Sequence, residues 1–262
     1  MDDKLRQLQL AELEILDEFI RVCEQHGLRY FLTGGTLLGA VRHQGFIPWD
    51  DDIDVAMPRD DYRKLIALRQ EFRAEFRLDS EEFDADCPYN YCKLYNRSVV
   101  FDPPPETGPG EIYIDIYPIL PARYPGRCAK LCMNTISVIG YVMQVKCGWD
   151  EYRPYKNRSA AFAYSVLAKM PVKTLRSLRR RLTQWLTAEG AGYSVSPGGK
   201  YGKKELFPAD WFANAKTAEF EGRACTVPVK SGDFLRQHYG DYETPPDENG
   251  KAQMHTGCRR LQ

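Results

Sequence analysis

Four aspartates stand within five residues, at Asp50, Asp51, Asp52 and Asp54, and they lead into the otherwise apolar stretch DIDVAM. In a strand that begins at Asp52, residues two apart point to the same face, so these two carboxylates would lie about 7 Å apart. Like charges this close repel each other unless a cation neutralises them. Hard divalent cations such as Mg²⁺ bind carboxylate oxygens together with substrate phosphates. The spacing therefore favours a cation-binding strand over the alternative, a solvated acidic loop.

The segment before these aspartates contains a strand, a double glycine and a short helix in immediate succession. Residues 28–33, LRYFLT, predict a strand, and Gly34 and Gly35 break it. Thr36 is placed to cap a helix that runs to about Val41. Backbone N–H groups at a helix start favour phosphate, and glycine permits close approach of the backbone. The alternative is an ordinary turn, because many double glycines bind nothing.

A third carboxylate stands in a strand of strict alternation. Residues 111–117, EIYIDIY, place isoleucines on one face and Asp115 between two tyrosines on the other. A lone acid in such a strand can simply face solvent. Together with Asp52 and Asp54 in the same core, however, Asp115 becomes a candidate third metal ligand. Two strands that supply two carboxylates and one form a two-metal clamp for in-line phosphoryl displacement, with Mg²⁺ as the expected metal and Mn²⁺ as the alternative.

The remaining pattern predicts an α+β core followed by helices and a small α/β segment. Helices are expected over 4–26, after Pro58 and over 231–239, and strands over 76–79, 91–95, 98–101 and 223–229. Residues 124–188 lack strand alternation and predict two or three helices, before a glycine-rich turn at Ser196–Gly202. We therefore divide the chain into a catalytic core at 1–120, a helical, basic region at 121–215 and a C-terminal segment at 216–262, which packs back on the core.

The charge of the chain is zero in total but uneven along its length. The 36 basic and 36 acidic residues exclude a generally basic nucleic-acid binder. Residues 1–120 hold 13 Lys/Arg and 24 Asp/Glu, whereas residues 121–188 hold 13 and 2. The basic region is expected to contact an anionic partner, either an acceptor glycan or an anionic membrane surface. The alternative is a solvated helical face.

The termini and cysteines indicate a cytoplasmic protein, with peripheral membrane association as a variant of that prediction. The N-terminus has no apolar signal segment. The apolar stretch Leu131–Val145 is too short to span a bilayer and predicts a buried helix, with an interfacial helix as the alternative. The eight cysteines are expected to be reduced thiols. Cys128 and Cys132 are the one pair whose spacing permits zinc, although the spacing is weak evidence.

The order of double glycine, D-x-D strand and later aspartate resembles the nucleotidyltransferase superfamily, whose core is a mixed sheet like that of DNA polymerase β. The string GGTLLGAVRHQGFIPWDDDIDVAMPRDDY more narrowly resembles the signature of the LicD family, the phosphorylcholine transferases that include fukutin-related proteins. YIDIYPI resembles that family's third-aspartate strand, and FEGRACTVPVKSGDFLRQHYGDYETPP its C-terminal segment. The resemblance covers about 10–120 and 219–247, and it leaves 121–215 unmatched.

This resemblance implies transfer of a phospho-alcohol, usually phosphocholine from CDP-choline, onto a sugar hydroxyl of a glycan such as lipopolysaccharide or teichoic acid. The products are a phosphodiester and CMP. It makes Asp52, Asp54 and Asp115 the metal carboxylates and catalytic residues. Either Asp115 or Asp54 would accept the proton of the acceptor hydroxyl, and the sequence does not separate ligand from base. Gly34, Gly35 and Thr36 would hold phosphate.

The matched motifs also supply candidates for substrate binding. Arg42 and Lys93 are expected to neutralise phosphate oxygens, with ordinary surface salt bridges as the alternative. A quaternary ammonium donates no hydrogen bond and is held by aromatic faces and carboxylates. Asp50 and Asp51 would neutralise it or orient the metal ligands. The aromatic candidates, for which core packing is the alternative, are Trp49, Tyr113, Tyr117, Tyr239 and Tyr242.

Two other functions remain open at this stage. One is a nucleotidyltransferase that moves a nucleoside monophosphate from an NTP onto a small acceptor. The other is a non-catalytic glycan-binding or scaffold protein, against which the three aspartates argue. The residues assign no role to His43 or His255, no particular phospho-alcohol and no oligomeric state.

Overall fold

The computed structural model describes residues 3–84, 87–105, 110–149, 158–245 and 257–261. His255 lies outside the described residues. The helices are α1 Asp3–His26, α2 Gly34–His43, α3 Arg59–Ala67, α4 Arg127–Lys146, α5 Arg158–Leu167, α6 Val172–Leu186 and α7 Ser231–Tyr239. The strands are β1 Phe31–Leu32, β2 Asp54–Pro58, β3 Phe76–Asp79, β4 Cys92–Asp102, β5 Glu111–Ala122, β6 Tyr193–Val195, β7 Leu206–Pro208, β8 Ala215–Phe220, β9 Arg223–Pro228 and β10 Gly257–Arg260.

A mixed sheet organises the described residues, which confirms the α+β class. Its main path runs β1-β2-β5-β4-β10, with β3 on β4 and with β6 and β7 continuing from the end of β5. β2 and β5 are parallel, and the other pairs are antiparallel. β8 and β9 form a separate hairpin. The two strands that carry the predicted carboxylates are therefore direct neighbours at the centre of the sheet.

The hydrophobic core lies between α1 and the isoleucine face of β5. Ile112, Ile114 and Ile116 are fully buried, which confirms the predicted alternation. Leu16 and Phe19 of α1 are buried in the same cluster. On β5, the isoleucine side chains therefore point toward α1, and the tyrosine and aspartate side chains point to the opposite face.

Three boundaries differ from the sequence prediction. The strand predicted over 28–33 shrinks to β1 because Gly27 has φ +62° and the Leu28 N–H donates to the Cys23 carbonyl at 2.8 Å, a helix cap that includes Leu28. The D-x-D strand begins at Asp54, so Asp52 lies in the preceding loop. β4 joins the two predicted strands through a register shift between Asn96 and Val100.

The region 121–215 is not helical throughout, because it also contains β6 and β7. β6 pairs with the end of β5, and β7 pairs with β6, so the chain returns to the sheet after α6. The prediction failed here because each strand has only three residues, too few for alternation to be visible.

The buried Arg179 and the partly buried Arg176 of α6 connect the helices α4 to α6 to the segment before β4. Arg179 is 1% exposed, and its Nη2 donates to Glu81 at 2.9 Å. Its Nη1 donates to the Pro88 carbonyl at 2.5 Å. Arg176 donates to the Cys87 carbonyl at 2.9 Å. Not all of the basic charge of this region therefore faces solvent.

All eight cysteines are free, as predicted. In the described part of the chain no three His, Cys, Asp or Glu side chains are arranged around one point as metal ligands, so Cys128 and Cys132 form no zinc site there. Cys128 is exposed, whereas Cys132 is buried and contacts the Leu182 carbonyl. Only α4, among the described helices, is long and apolar enough to span a membrane, and 44% of that stretch is buried.

An ion-pair network on α1 makes the free energy of unfolding at low pH depend on Glu18. The Glu18 side chain is fully buried and receives hydrogen bonds from Arg21 and Arg73. Burial would raise the pKa of Glu18, but these bonds outweigh it and lower the pKa from 4.5 to about 2. The resulting stability is present above pH 4.5, and we expect about 3 kcal/mol to be lost as the pH falls toward 2. Urea unfolding across this pH range measures this loss in wild type and in Glu18→Gln, which should lack it. Equal pH dependence in the two proteins would show that the network contributes nothing.

Candidate active site

Three charged side chains form a row across neighbouring strands. Asp54 of β2 is the register partner of Asp115 of β5, and Asp115 is in turn the partner of Lys93 of β4. Register partners on adjacent strands point to the same face of the sheet. The pairing of β2 and β5 extends one residue further, since the Asp115 N–H donates to the Ile53 carbonyl at 3.0 Å. The sheet thus brings two of the three predicted catalytic carboxylates side by side.

Both oxygens of the Asp115 carboxylate have partners. Lys93 Nζ donates to Oδ1 at 2.5 Å, and the Tyr117 hydroxyl donates to Oδ2 at 3.2 Å. Tyr117 stands two residues further along β5, on the same face. Asp115 is therefore held in one orientation by its neighbours on the sheet.

Lys93 is buried in an aromatic cage rather than exposed to ligand. It is 3% exposed, and its Nζ lies 3.6 Å from the ring centre of Tyr113 and 4.6 Å from that of Tyr89. Burial would lower the pKa of Lys93, but Asp115 and the surrounding tyrosines raise it above its ordinary value. The Lys93 ammonium thus contacts the face of Tyr113, which we had predicted to bind a substrate ammonium. Lys93 itself, which we had predicted to bind phosphate, binds Asp115 instead.

The double glycine forms the floor beneath two of the aspartates. Gly34 has φ +56°, and a Cβ there would lie 2.6 Å from Asp54 Oδ2, so any larger residue would be strained and would clash. A Cβ on Gly35 would lie 2.5 Å from Asp50 Oδ2. Thr36 does not cap α2, which begins at Gly34; instead its Oγ1 accepts the Asp54 N–H at 2.8 Å. The turn and the D-x-D strand are therefore one unit.

The aspartates of this unit repel one another. Burial and then Asp52 and Asp51 raise the pKa of Asp50 to about 8. Burial, Asp52 and Asp115 raise the pKa of Asp54 well above its usual range. Burial and Asp115 also raise the pKa of Asp52, although Lys200 opposes this shift. The site therefore has an excess of negative charge that a bound cation would relieve.

Lys200 is a candidate site residue that the sequence analysis missed. It follows Gly198 and Gly199, where a Cβ would lie 2.6 Å from Tyr91 and 2.1 Å from Glu205 respectively. Burial would lower the pKa of Lys200, but Asp52 and Asp54 raise it above its ordinary value. The available signal was a basic residue directly after a glycine pair, within the predicted glycine-rich turn at Ser196–Gly202.

A buried glutamate of α1 was also missed. Glu12 is 2% exposed, its Oε2 has no hydrogen-bond partner, and its pKa is raised by burial and then by Asp52 and Asp51. One turn earlier, Gln9 Nε2 donates to the Asp50 carbonyl at 3.0 Å and holds the aspartate loop against α1. The signal was two polar residues within the apolar stripe of an amphipathic helix.

The remaining predicted residues fall into two groups. Tyr239 lies near the aspartates, since its pKa is raised by burial, then by Tyr201 and, more weakly, by Asp54. Trp49 packs partly buried against the core cluster, and Asp51 is half-buried beside the other aspartates.

Arg42 and Tyr242 form the second group, away from the aspartates. Arg42 is in the last turn of α2, about 12 Å along the helix from Gly34. Its Nη1 donates to the Tyr242 carbonyl at 2.8 Å. The structure does not bring Arg42 to the carboxylates.

Known proteins resemble this chain over its whole length and over its core. Residues 27–123 match the family described as LicD/FKTN/FKRP, nucleotidyltransferase domain. The lipopolysaccharide cholinephosphotransferase LicD of Haemophilus influenzae is 30% identical over 257 residues, which cover 94% of each chain. The ribitol 5-phosphate transferases FKRP of Mus musculus and Homo sapiens are 46% identical over 50 residues, 19% of this chain and 10% of theirs.

This chain combines a mixed α/β fold, whose neighbouring central strands carry Asp54 and Asp115, with similarity to transferases. The chain belongs to the LicD family, as its motifs predicted.

Proposed function

We propose that this protein is a metal-dependent transferase that moves phosphocholine from CDP-choline onto a sugar hydroxyl of a cell-surface glycan. The observation that carries the proposal is the juxtaposition of Asp54 and Asp115 on parallel strands, above a turn in which glycine is required. The similarity over nearly the whole chain to a lipopolysaccharide cholinephosphotransferase supports the choice of donor group and acceptor class. We assign the core to the nucleotidyltransferase fold on the same grounds.

The chemistry of the donor set suits a divalent cation, although Asp52, Asp54 and Asp115 do not surround one point in the described structure. Its side chains offer carboxylate oxygens, which Mg²⁺ and Mn²⁺ prefer, and they repel one another without a cation. Asp52, Asp54 and Asp115 would hold the metal. When bound, the metal would neutralise the donor diphosphate and lower the pKa of the acceptor hydroxyl.

The protein's own residues supply the rest of the reaction. Lys200 stands where it can neutralise phosphate oxygens, a role that we had assigned to Arg42 and Lys93. Lys93 and Tyr117 fix the orientation of Asp115, so a carboxylate meets the acceptor hydroxyl in a defined position. Asp115 or Asp54 accepts the hydroxyl proton as the new phosphodiester bond forms and CMP leaves.

The matched family is described as a nucleotidyltransferase domain, and this favours a second candidate function, the transfer of a nucleoside monophosphate from an NTP. The two reactions differ in the phosphorus that is attacked. A ligand that binds only the folded state raises the unfolding temperature. With Mg²⁺ present, we expect CDP-choline or another CDP-alcohol to raise it more than any NTP does. Stabilisation by NTPs alone would favour the second candidate.

Replacing Lys200 by methionine is expected to weaken donor binding. Loss of one charge-assisted hydrogen bond to phosphate, worth about 2 kcal/mol, corresponds to roughly a 30-fold higher KM for the donor. Lys203→Met is the matched control, because Lys203 is an exposed lysine of the following turn. Steady-state kinetics with varied donor measures the effect. Equal KM values for the two variants would remove Lys200 from the donor site.

A further inference from the structure

The helical layer formed by α4, α5 and α6 combines exposed apolar side chains with a basic surface. Three of its apolar residues are about 70% exposed, and two more are almost half exposed. They are, in chain order, Tyr124, Leu131, Phe162, Val166 and Trp185. Single exposed apolar residues need no explanation, but four on these helices and a fifth just before α4 favour an interaction surface when basic residues accompany them.

The exposed apolar residues of each helix stand beside basic ones. On α5, Arg158, Phe162 and Val166 are all exposed and follow one another at intervals of four residues, so they lie on one stripe, and the exposed Lys169 follows in the turn after the helix. On α4, the exposed stripe combines Leu131 with Arg127 and Lys130. The buried faces of these helices pack on the rest of the layer, so the stripes point outward.

A second contact group joins α6 to the start of α4. Trp185 lies at the end of α6, and the Arg123 guanidinium stands 5.4 Å from its ring centre. Arg123 also donates to the Trp185 carbonyl. Tyr124 follows directly and packs its ring 5.4 Å from that of Tyr193. Arginine, tryptophan and tyrosine therefore share one outer corner of the layer.

The surface is mainly basic, although Arg180 of α6 pairs with Glu81 at 3.6 Å. Asp150 and Glu151 are the sole acids between residues 121 and 188. Nine Lys/Arg side chains of this stretch are exposed in the described residues, whereas Arg176 and Arg179 are used internally. A phosphorylated glycan would satisfy the charges but gives no reason to expose leucine, valine and phenylalanine. A bilayer satisfies both, because lysine and arginine bind anionic headgroups while apolar and aromatic side chains enter the interface.

We propose that the outer surface of α4, α5 and α6 docks on an anionic lipid bilayer. This inference is independent of the donor and of the chemistry at the aspartates. It assigns the positive part of a neutral chain to the membrane, while the aspartate site remains on the central sheet.

Vesicle co-sedimentation of the full chain tests this surface. We expect binding to vesicles that contain phosphatidylglycerol and little binding to phosphatidylcholine alone, with the difference reduced by salt. Each replaced basic residue should lower partitioning about fivefold, so Lys130→Gln with Arg181→Gln should lower it about 25-fold. Phe162→Ser with Trp185→Ser should lower it at least roughly tenfold through lost apolar burial.

The control is Leu10→Ser with Val229→Ser, which removes two apolar residues that are 47% and 43% exposed outside this layer. It should bind like wild type, and all variants should keep the wild-type unfolding temperature. Equal binding by the surface and control variants would overturn the proposal, as would no binding to anionic vesicles at low salt. Binding to a soluble polyanion that resists Phe162→Ser and Trp185→Ser, without vesicle binding, would assign the surface to an anionic polymer instead.

Discussion

Asp54→Asn is expected to lower the transfer rate roughly 1,000-fold, the loss typical of removing one preorganised charge from a transition state. The variant keeps the shape of the side chain, so the glycine floor at Gly34 and the Thr36 hydrogen bond to the backbone N–H remain. What it removes is a charge beside Asp115 and Asp52. CMP release from CDP-choline, measured with saturating Mg²⁺ and acceptor, reports the effect.

The same substitution should not destabilise the metal-free protein. Burial, Asp52 and Asp115 raise the pKa of Asp54, so its ionised form costs stability at neutral pH, and asparagine removes this cost. The unfolding temperature without metal should therefore stay the same or rise. Asp60→Asn is the control, since the Asp60 side chain is 71% exposed. An Asp54→Asn variant that retains full turnover would contradict the role of this carboxylate.

Lys93→Met is expected to cost about 3 kcal/mol in the free energy of unfolding, or about 10 °C in the unfolding temperature. Its ammonium is the hydrogen-bonding cation of Asp115, and it fills a cage of tyrosines. Without it, Asp115, whose side chain is 16% exposed, would stand beside Asp54 without its hydrogen-bonding cation. Turnover should fall as well, because Asp115 loses a contact that fixes its orientation.

The double variant Lys93→Met with Asp115→Asn distinguishes charge from packing. If the cost comes from an uncompensated carboxylate, the double variant should recover much of the lost stability while remaining inactive. If the double variant recovers no stability, the cost comes from the loss of the lysine stem from the tyrosine cage and not from the carboxylate. Urea unfolding of the four proteins in the cycle gives the coupling energy.

The sequence predicted the parts of the site that depend on short-range patterns. Strict alternation identified the face of β5 that carries Asp115, and the double glycine identified the turn that faces Asp54 and Asp50. The starts of β1 and β2 were less predictable. Leu28 belongs to a helix cap and Asp52 to a loop, and the residue type at one position does not distinguish a cap or a loop from a strand.

The parts that failed depend on contacts between distant segments. Lys200 reaches the aspartates only because β6 and β7 return the chain to the end of β5, and three-residue strands have no visible period. Lys93 carries a charge that suits phosphate, yet the fold buries it beside Asp115. Arg42 lies close to Gly34 in sequence but at the other end of a rigid helix.

The central claim is that the neighbouring carboxylates of Asp54 and Asp115 support metal-dependent transfer of a phospho-alcohol. Product analysis with CDP-choline tests this claim most directly. Wild-type protein is incubated with donor, a glycan acceptor and Mg²⁺, in parallel with EDTA and with NTPs in place of the donor. We predict release of CMP and phosphocholine on the acceptor, both abolished by EDTA and by Asp54→Asn. Attachment of a nucleotide to the acceptor, or CMP release that is unchanged by EDTA, would contradict the account.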